Sequence, residues 1–360
     1  MTKNYMDQRY AKLAQLLTTY SVKIKKGKHV WIRCVGLTSL QLGKEVYKEA
    51  LKIGAHPYLD IHDDSLGSFY YSNAQPHQLE YPALIEEHIA NWADYTISLI
   101  AQENSRSLAN VESSKLLLKE KTSKKVREII MKKPWTLTVI PTHGLAQDAM
   151  MSTDAFEDFY FNATLRDWEK EGKRLQKLAK MLTNAKLIEV KGIETDLKLS
   201  AKARVFVPDC GEANMPGGEI FTAPVDTSVE GHVYFNFPLL RSGKFIRDIR
   251  FWFEKGKIVK ATASENEKYL HQILDTDEGA RRLGEFAIGL NPGITQYMNN
   301  VLFDEKIQGT IHMAIGQAYE ECKGINTSQI HMDIVKDMKP KGSSVIADGV
   351  TILKDGKILV

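Results

Sequence analysis

The chain has 360 residues, of which 43% are hydrophobic and 26% are charged, and its formal net charge at pH 7 is +3. This length predicts about two globular domains, and the low net charge gives no electrostatic reason to expect nucleic acid as a partner. Three scattered cysteines argue against a disulfide framework or a cysteine zinc site, and the absence of long apolar runs predicts a cytoplasmic protein without a membrane partner.

Helix-like and strand-like segments alternate in the first half of the chain. The predicted strands are the apolar runs HVWIRCVG, HPYLDIH, DYTISLIA and WTLTVIPT. The predicted helices are RYAKLAQLLTTYSV, SLQLGKEVYKEALKIG, YPALIEEHIANW, residues 108–133 and one long charged helix over roughly 154–183. This alternation predicts a Rossmann-like α/β domain over residues 1–185, with a parallel sheet covered by helices. The segment after the first strand, VGLTSLQLGKE, has neither G-x-G-x-x-G nor P-loop spacing, which argues against a dinucleotide cofactor.

After about Lys186 the pattern changes to short alternating runs with little helix. The segment FEKGKIV predicts a hairpin with Gly256 in its turn, and Asp355-Gly356 predicts another near the end of the chain. One helix is predicted within ASENEKYLHQILDTDEGARRLG. Residues 186–360 are therefore expected to form a mixed or antiparallel α+β domain.

Ionisable side chains in four segments of this second domain lie among glycines or apolar residues. They are Glu219 in NMPGGEIFTAP, Glu285 in RRLGEFAIGLNPG, His312 in GTIHMAIGQAY, and His331 with Asp333 in NTSQIHMDIV. In a strand, residues two apart point to the same face, so the imidazole of His331 and the carboxylate of Asp333 are expected to lie side by side. Carboxylate and imidazole ligands without cysteine suit Zn, Co, Mn or Mg.

Each of these residues also has a structural interpretation. A single buried histidine or acid usually finds a local hydrogen-bond partner, and the alternative for Tyr319, seven residues after His312, is a core tyrosine with a satisfied hydroxyl. Taken together, three carboxylates and two imidazoles fit two cations about 3.5–4 Å apart with one bridging carboxylate. The set therefore favours a dinuclear metal site.

The segments MPGGEIFTAP, LGEFAIGLNPG, IHMAIGQAY and NTSQIHMD, in this order, resemble the aminopeptidase T/aminopeptidase S family of co-catalytic metalloaminopeptidases. The N-terminal LAQLLTTYSVKIKKGKHVWIR and the final DGVTILKDGKILV are also similar, so the resemblance covers most of the chain. It implies two divalent metal ions, peptide substrates with a free N-terminus, and a homodimer. The eleven residues between Tyr319 and His331 form a connector that is short for this family, which affects the expected shape of the substrate pocket.

The resemblance also implies a role for each matched residue. The expected metal ligands are Glu219, Glu285, His312, His331 and Asp333. We expect Glu285 to bridge the two ions, and we expect Tyr319 to act in catalysis together with Glu219 and Glu285. In this hypothesis Tyr319 donates its hydroxyl hydrogen to the oxyanion, while a water activated by the two metals attacks the peptide carbonyl.

Two alternatives remain at this point. Another dinuclear metal amidohydrolase or dipeptidase would use the same ligands on a different substrate, and N-acetylated substrates would distinguish it from an aminopeptidase. A non-catalytic α/β binding protein would hold the same residues for structural reasons only. Such a protein would contain no stoichiometric metal.

Overall fold

The structure of the protein is a computed structural model that describes residues 7–360, apart from the side chains at 113, 117 and 120. Residues 1–6 of the predicted first domain lie outside the described part. The helices are α1 (Gln8–Leu16), α2 (Leu40–Ile53), α3 (Ser65–Asn73), α4 (Pro76–Leu79), α5 (Leu84–Trp92), α6 (Ser113–Met131), α7 (His143–Asp148), α8 (Thr153–Thr164), α9 (Trp168–Leu182), α10 (Glu267–Leu274) and α11 (Val301–Asp304).

The strands in chain order are β1 (His29–Val35), β2 (His56–His62), β3 (Tyr95–Ile100), β4 (Trp135–Val139), β5 (Leu187–Gly192), β6 (Thr195–Ser200), β7 (Val207–Asp209), β8 (Asn214–Met215), β9 (Glu219–Thr222), β10 (Glu230–Phe235), β11 (Leu239–Arg241), β12 (Lys244–Ile246), β13 (Ile249–Glu254), β14 (Lys257–Thr262), β15 (Leu283–Gly289), β16 (Thr310–Gly316), β17 (His331–Asp337), β18 (Ser344–Ala347), β19 (Val350–Lys354) and β20 (Lys357–Ile358).

The internal contacts divide the chain into two compact units. The first unit extends to Arg166 and also contains Gly211–Gly217. The second comprises Asp167–Cys210 and Gly218–Val360. The boundary between residues 185 and 186, inferred from the change of sequence pattern, stays a prediction of how the domains divide.

The first unit contains a parallel sheet with the strand order β2-β1-β3-β4-β8. Helix α2 packs closely on β1 because Gly43 has no side chain, and a Cβ atom there would lie 2.4 Å from the sulfur of Cys34. The same helix ends at Gly54, whose φ of 84° lies in the left-handed region that favours glycine. The predicted parallel sheet with covering helices is confirmed.

Helices α3, α4 and α7 were not predicted, and two further features of the chain differ from the sequence prediction. The single helix expected over 154–183 is two helices, α8 and α9, because the backbone leaves the helical region at Leu165. Asp167 then begins the second helix, where its side chain accepts a hydrogen bond from the backbone N–H of Lys170. The two-residue strand β8 pairs in parallel with β4, so a short segment between strands of the second unit belongs to the sheet of the first.

The second unit contains two large sheets in which every strand pair is antiparallel. Their strand orders are β14-β13-β10-β6-β5-β18-β19-β20 and β17-β16-β15-β9-β7. One continuous core joins them and includes Phe251 from the first sheet, Phe286 and Ile334 from the second, and Leu175 from α9. The predicted antiparallel α+β arrangement is confirmed.

The hairpins expected from sequence are also present. Lys255 and Gly256 connect β13 to β14 with positive φ angles of 48° and 78°, and Asp355 and Gly356 connect β19 to β20 with 47° and 77°. All three cysteines of the chain are buried and free. Among the described residues, every helix is too short or too polar to cross a bilayer.

Candidate metal centre

The six predicted site residues all lie on or beside the five-stranded sheet of the second unit. Glu219 begins β9, Glu285 lies in β15, His312 lies in β16, and His331 and Asp333 lie in β17. These strands are neighbours in the sheet, and the register brings their polar residues onto one face. The opposite face buries the apolar residues Ile220, Phe286, Ile288, Ile311, Met313, Ile315, Met332 and Ile334 in the core.

Small residues lie opposite the polar ones on the neighbouring strands. The register pairs Gly289 with Glu219, Ala287 with His312, Ala314 with Asp333, and Gly316 with His331. At Gly289 a Cβ atom would lie 2.3 Å from the carbonyl oxygen of Ile307, so this position requires glycine. Because paired residues of adjacent strands have neighbouring side chains, these glycines and alanines leave room for the longer acids and imidazoles.

The carboxylate of Glu285 connects two groups of side chains. Its Oε1 lies 3.2 Å from Nε2 of His312, and its Oε2 lies 3.2 Å from Nε2 of His331. Glu219 completes the first group with Oε2 at 3.1 Å from His312 Nε2, and Asp333 completes the second with Oδ1 at 3.5 Å from His331 Nε2. In each group, three possible ligand atoms lie within 4.8 Å of one another.

Hydrogen bonds fix which nitrogen of each imidazole faces this cluster. The Nδ1–H of His312 donates to the carbonyl oxygen of Glu305 at 3.0 Å, and the Nδ1–H of His331 donates to that of Gln317 at 2.7 Å. A carbonyl oxygen can only accept, so Nδ1 carries the hydrogen and Nε2 of each ring faces the carboxylates. Metal-binding histidines usually have this second hydrogen bond, which sets the tautomer and the ring orientation.

The charges of the cluster shift the pKa of each member. Burial alone would lower the pKa of His312, but the charges of Glu219 and Glu285 outweigh it and raise the pKa to about 10. Burial would raise the pKa of Asp333, but His331 holds it below its usual range. Burial raises the pKa of Glu219. Each imidazole Nε2 is therefore a strong site for a proton or for a metal ion.

Two neighbouring residues of the cluster were missed by the sequence analysis. Glu305 forms a third possible metal-binding group with His312 and Asp333. Lys306 is completely buried, with its Nζ 3.2 Å from Oε1 of Glu219 and in contact with Oε1 of Glu305. The available signal was the segment LFDEK, which places charged residues directly after an apolar run and seven positions before His312.

Tyr319 lies at the edge of the cluster, at the residue that precedes a short 3-10 turn. Its ring centroid is 4.9 Å from that of His331 and 5.6 Å from that of Phe221. Burial and the charge of Glu285 raise the pKa of its hydroxyl well above the usual value. The hydroxyl therefore stays protonated at neutral pH and can donate a hydrogen bond.

Access to the cluster is from the side of β17. The side chains of His331 and Asp333 are 22% and 15% exposed, whereas those of Glu219 and His312 are 6% and 1% exposed. A small pocket, partly open to solvent, is lined by Asp333 together with the apolar residues Leu240 and Val335 and the polar residues Asn299 and Asp304. A ligand that enters this pocket would lie beside the second group.

Known proteins resemble this chain in sequence and in fold. Aminopeptidase 2 of Geobacillus stearothermophilus is 26% identical over 98% of this chain and 96% of its own length. Aminopeptidase T of Thermus thermophilus is 39% identical over 33% of each chain. The solved structure of wild-type AmpT from Thermus thermophilus superposes with a TM-score of 0.86 at 24% identity, over 98% of this chain and 99% of that one.

The family comparison agrees with the resemblance inferred from the four polar segments. The model of the family described as thermophilic metalloprotease (M29) matches residues 6–358, which include the whole polar cluster. A metalloprotease family implies a divalent metal, and the three groups of carboxylates and imidazoles contain suitable ligand atoms. The chain therefore belongs to the M29 family of metalloproteases, which are hydrolases that act on peptides.

Proposed function

We propose that this protein is a metalloaminopeptidase that uses two divalent ions to release N-terminal amino acids from peptides. The observation that carries the proposal is the position of the Glu285 carboxylate between two groups of possible ligands. The two oxygens of Glu285 lie at the same 3.2 Å from the imidazoles of His312 and His331. A carboxylate in this position suits a bridge between two ions in a dinuclear hydrolase.

The chemical types of the proposed ligands indicate which metal ions the site would accept. The proposed ligands are carboxylates and imidazoles, with Glu219 and His312 in one group, His331 and Asp333 in the other, and Glu285 in both. Glu305 is a sixth candidate that approaches His312 and Asp333. Such ligands accept Zn, Co, Mn or Mg, and the supply of metal decides among them as much as affinity does.

The protein's own residues would orient the ions and supply one hydrogen-bond donor to the substrate. Divalent ions bound in such a site would lower the pKa of a water molecule and polarise the carbonyl group of a peptide. Tyr319 is placed beside His331, where its hydroxyl can donate to the negative oxygen that develops on the attacked carbonyl. Glu219 and Glu285 would contribute to catalysis through the ions that they would hold.

The substrate is proposed to be a peptide with an unblocked N-terminus. Only the neutral amine can act as a ligand, and an acetylated N-terminus removes that possibility. The partly open pocket beside Asp333 supports an approach of the peptide from the side of the second group. The relatives named as aminopeptidases support this substrate class.

The assembly and the location are part of the same proposal. Resemblance to the family supports a homodimer in the cytoplasm. The formal net charge of +3 gives no support to a nucleic-acid partner, and the lack of a suitable helix among the described residues gives none to a membrane-spanning role.

The test measures metal content and activity in parallel. We expect two divalent ions per chain, loss of hydrolysis of an amino-acid anilide after chelation, and recovery when ions are restored. The N-acetylated anilide is the matched control and should not be cleaved. Equal cleavage of both anilides would contradict the aminopeptidase assignment, and full activity without stoichiometric metal would contradict the site.

A further inference from the structure

Lys306 is a buried cation within the candidate metal centre. Its side chain is fully buried, and its Nζ lies 3.2 Å from Oε1 of Glu219 and 3.7 Å from Oδ2 of Asp209, in addition to its contact with Glu305. Three carboxyl groups, those of Asp209, Glu219 and Glu305, therefore surround one ammonium.

The backbone fixes the position of Lys306. Its carbonyl oxygen accepts a hydrogen bond of 2.9 Å from the N–H of Asn291. The turn before it is held by the buried carboxylate of Asp304, which accepts hydrogen bonds from the N–H groups of Met298 and Asn300 at 2.6 and 2.7 Å. These hydrogen bonds hold the main chain at Lys306, from which the side chain reaches Glu219 and Glu305.

Lys306 and His312 contact different oxygens of the Glu219 carboxyl group. Oε1 of Glu219 is taken by Lys306, and Oε2 lies 3.1 Å from Nε2 of His312. Glu305 also contacts Lys306 through one side-chain oxygen, while its carbonyl oxygen orients His312. The ammonium thus contacts one oxygen of each acid, and the second oxygen is the candidate ligand atom for an ion.

A second buried lysine shows what such a residue does elsewhere in the same unit. Lys336 lies in β17, and its Nζ donates to the carbonyl oxygens of Tyr234 at 2.8 Å and Ile193 at 3.3 Å. These partners are neutral main-chain groups, whereas the partners of Lys306 are the carboxyl groups of Asp209, Glu219 and Glu305. Lys336 is therefore a matched control for the loss of a buried lysine.

We propose that Lys306 is a positioning residue that acts as a fixed internal cation of the metal centre, holding Glu219 and Glu305 to single-oxygen contacts and weakening the affinity of the site for divalent ions. This inference rests on the proposed function, since it assumes that divalent ions bind here. An ion that binds Glu219 shares that carboxylate with the ammonium. Like charges at such short range repel even at the high effective dielectric constant of proteins.

The experiment is a calorimetric titration of the metal-free protein with Mn²⁺. We expect Lys306→Gln to bind Mn²⁺ at least about tenfold more tightly than the wild type, because glutamine keeps a hydrogen-bond donor and removes the charge. Lys306→Arg keeps the charge and should match the wild type. Lys336→Gln should also match it, although its stability changes.

A second pair of variants covers the case in which Lys306→Gln does not fold. Glu305→Gln removes one carboxylate, and the double variant Glu305→Gln/Lys306→Gln removes the ammonium as well. In that background the loss of Lys306 should again tighten Mn²⁺ binding by about tenfold, because the effect is one of charge.

The outcomes separate this inference from the proposed function. A wild type that binds Mn²⁺, with unchanged or weaker binding in both variants that lack Lys306, would overturn the role of Lys306 alone. Equal tightening in Lys336→Gln would also overturn it, because the effect would then follow from any lost buried lysine. A wild type that binds no divalent ion would overturn the proposed function and this inference together.

Discussion

Ala287 lies directly opposite His312 in the antiparallel pair of β15 and β16, and both side chains are buried. Because paired residues have neighbouring side chains on one face, a longer side chain at position 287 would compete with the imidazole for the space between Glu219 and Glu285. We therefore expect Ala287→Leu to displace His312 and to weaken Mn²⁺ binding by tenfold or more. Overpacking should also lower the free energy of unfolding by about 1–3 kcal/mol.

The control for this substitution is Ile288→Leu, which changes the neighbouring residue on the apolar face of the same strand. It should lose a comparable or smaller amount of stability and keep its Mn²⁺ affinity. Equal loss of affinity in both variants, measured by calorimetry, would show that the centre responds to strand stability and not to the space opposite His312.

Because Glu285 lies between the two groups, its substitution should remove more metal than the substitution of a ligand that belongs to one group. Glu285→Ala should remove both ions because both groups use this carboxylate, whereas His331→Ala should leave the ion of the first group. Elemental analysis of the two purified variants checks this prediction. Identical metal content in both variants would argue against a bridging role for Glu285.

Tyr319 can be tested by removing its hydroxyl alone. Tyr319→Phe should lower kcat by about 100-fold or more, since one lost oxyanion donor costs about 3 kcal/mol. Metal content and KM should stay close to those of the wild type, because the ring contacts with His331 and Phe221 remain. A variant with unchanged kcat would identify Tyr319 as a structural core residue.

Protons and metal ions compete for the imidazoles, which gives the site a defined pH dependence. The surrounding carboxylates raise the pKa of His312 to about 10, so its Nε2 must lose a proton when an ion binds at neutral pH. The apparent affinity for Mn²⁺ should therefore increase from pH 6 to pH 8. Two measurements check this prediction: the protons released when Mn²⁺ is mixed with the protein, and the dissociation constant for Mn²⁺ at each pH.

Lys336 predicts a separate pH effect on stability. Burial lowers its pKa from 10.5 to about 8, so between these pH values the unfolded chain holds a proton that the folded chain lacks. Raising the pH through this window should increase the free energy of unfolding, by up to about 3 kcal/mol from this residue. Lys336→Met should remove this contribution, which urea unfolding at pH 7 and pH 9.5 would reveal.

The sequence predicted much of the architecture because the local patterns agree with the tertiary structure. The alternating apolar and polar positions of β17 place His331 and Asp333 on one face, as their spacing of two residues requires. The break between α8 and α9 was missed because Leu165 is apolar and fits a helical pattern, and only the cap at Asp167 indicates a new start.

Some neighbours in the cluster could not be predicted from local sequence. Glu305 and Lys306 follow the short helix α11 and reach the sheet through a loop, where no periodicity fixes the direction of a side chain. The contact of Lys306 with Glu219 joins residues 87 positions apart. Such a contact depends on the packing of the loop against β9, which only the three-dimensional structure provides.

The alternation of polar and apolar faces in β16 has a consequence for how this chain can change in length. One inserted or deleted residue within that strand would turn His312 into the hydrophobic interior and present Ile311 or Met313 to the acids. The segment between Tyr319 and His331 is not part of a strand with alternating faces. It can therefore gain or lose an odd number of residues during evolution while β16 and β17 keep their alignment.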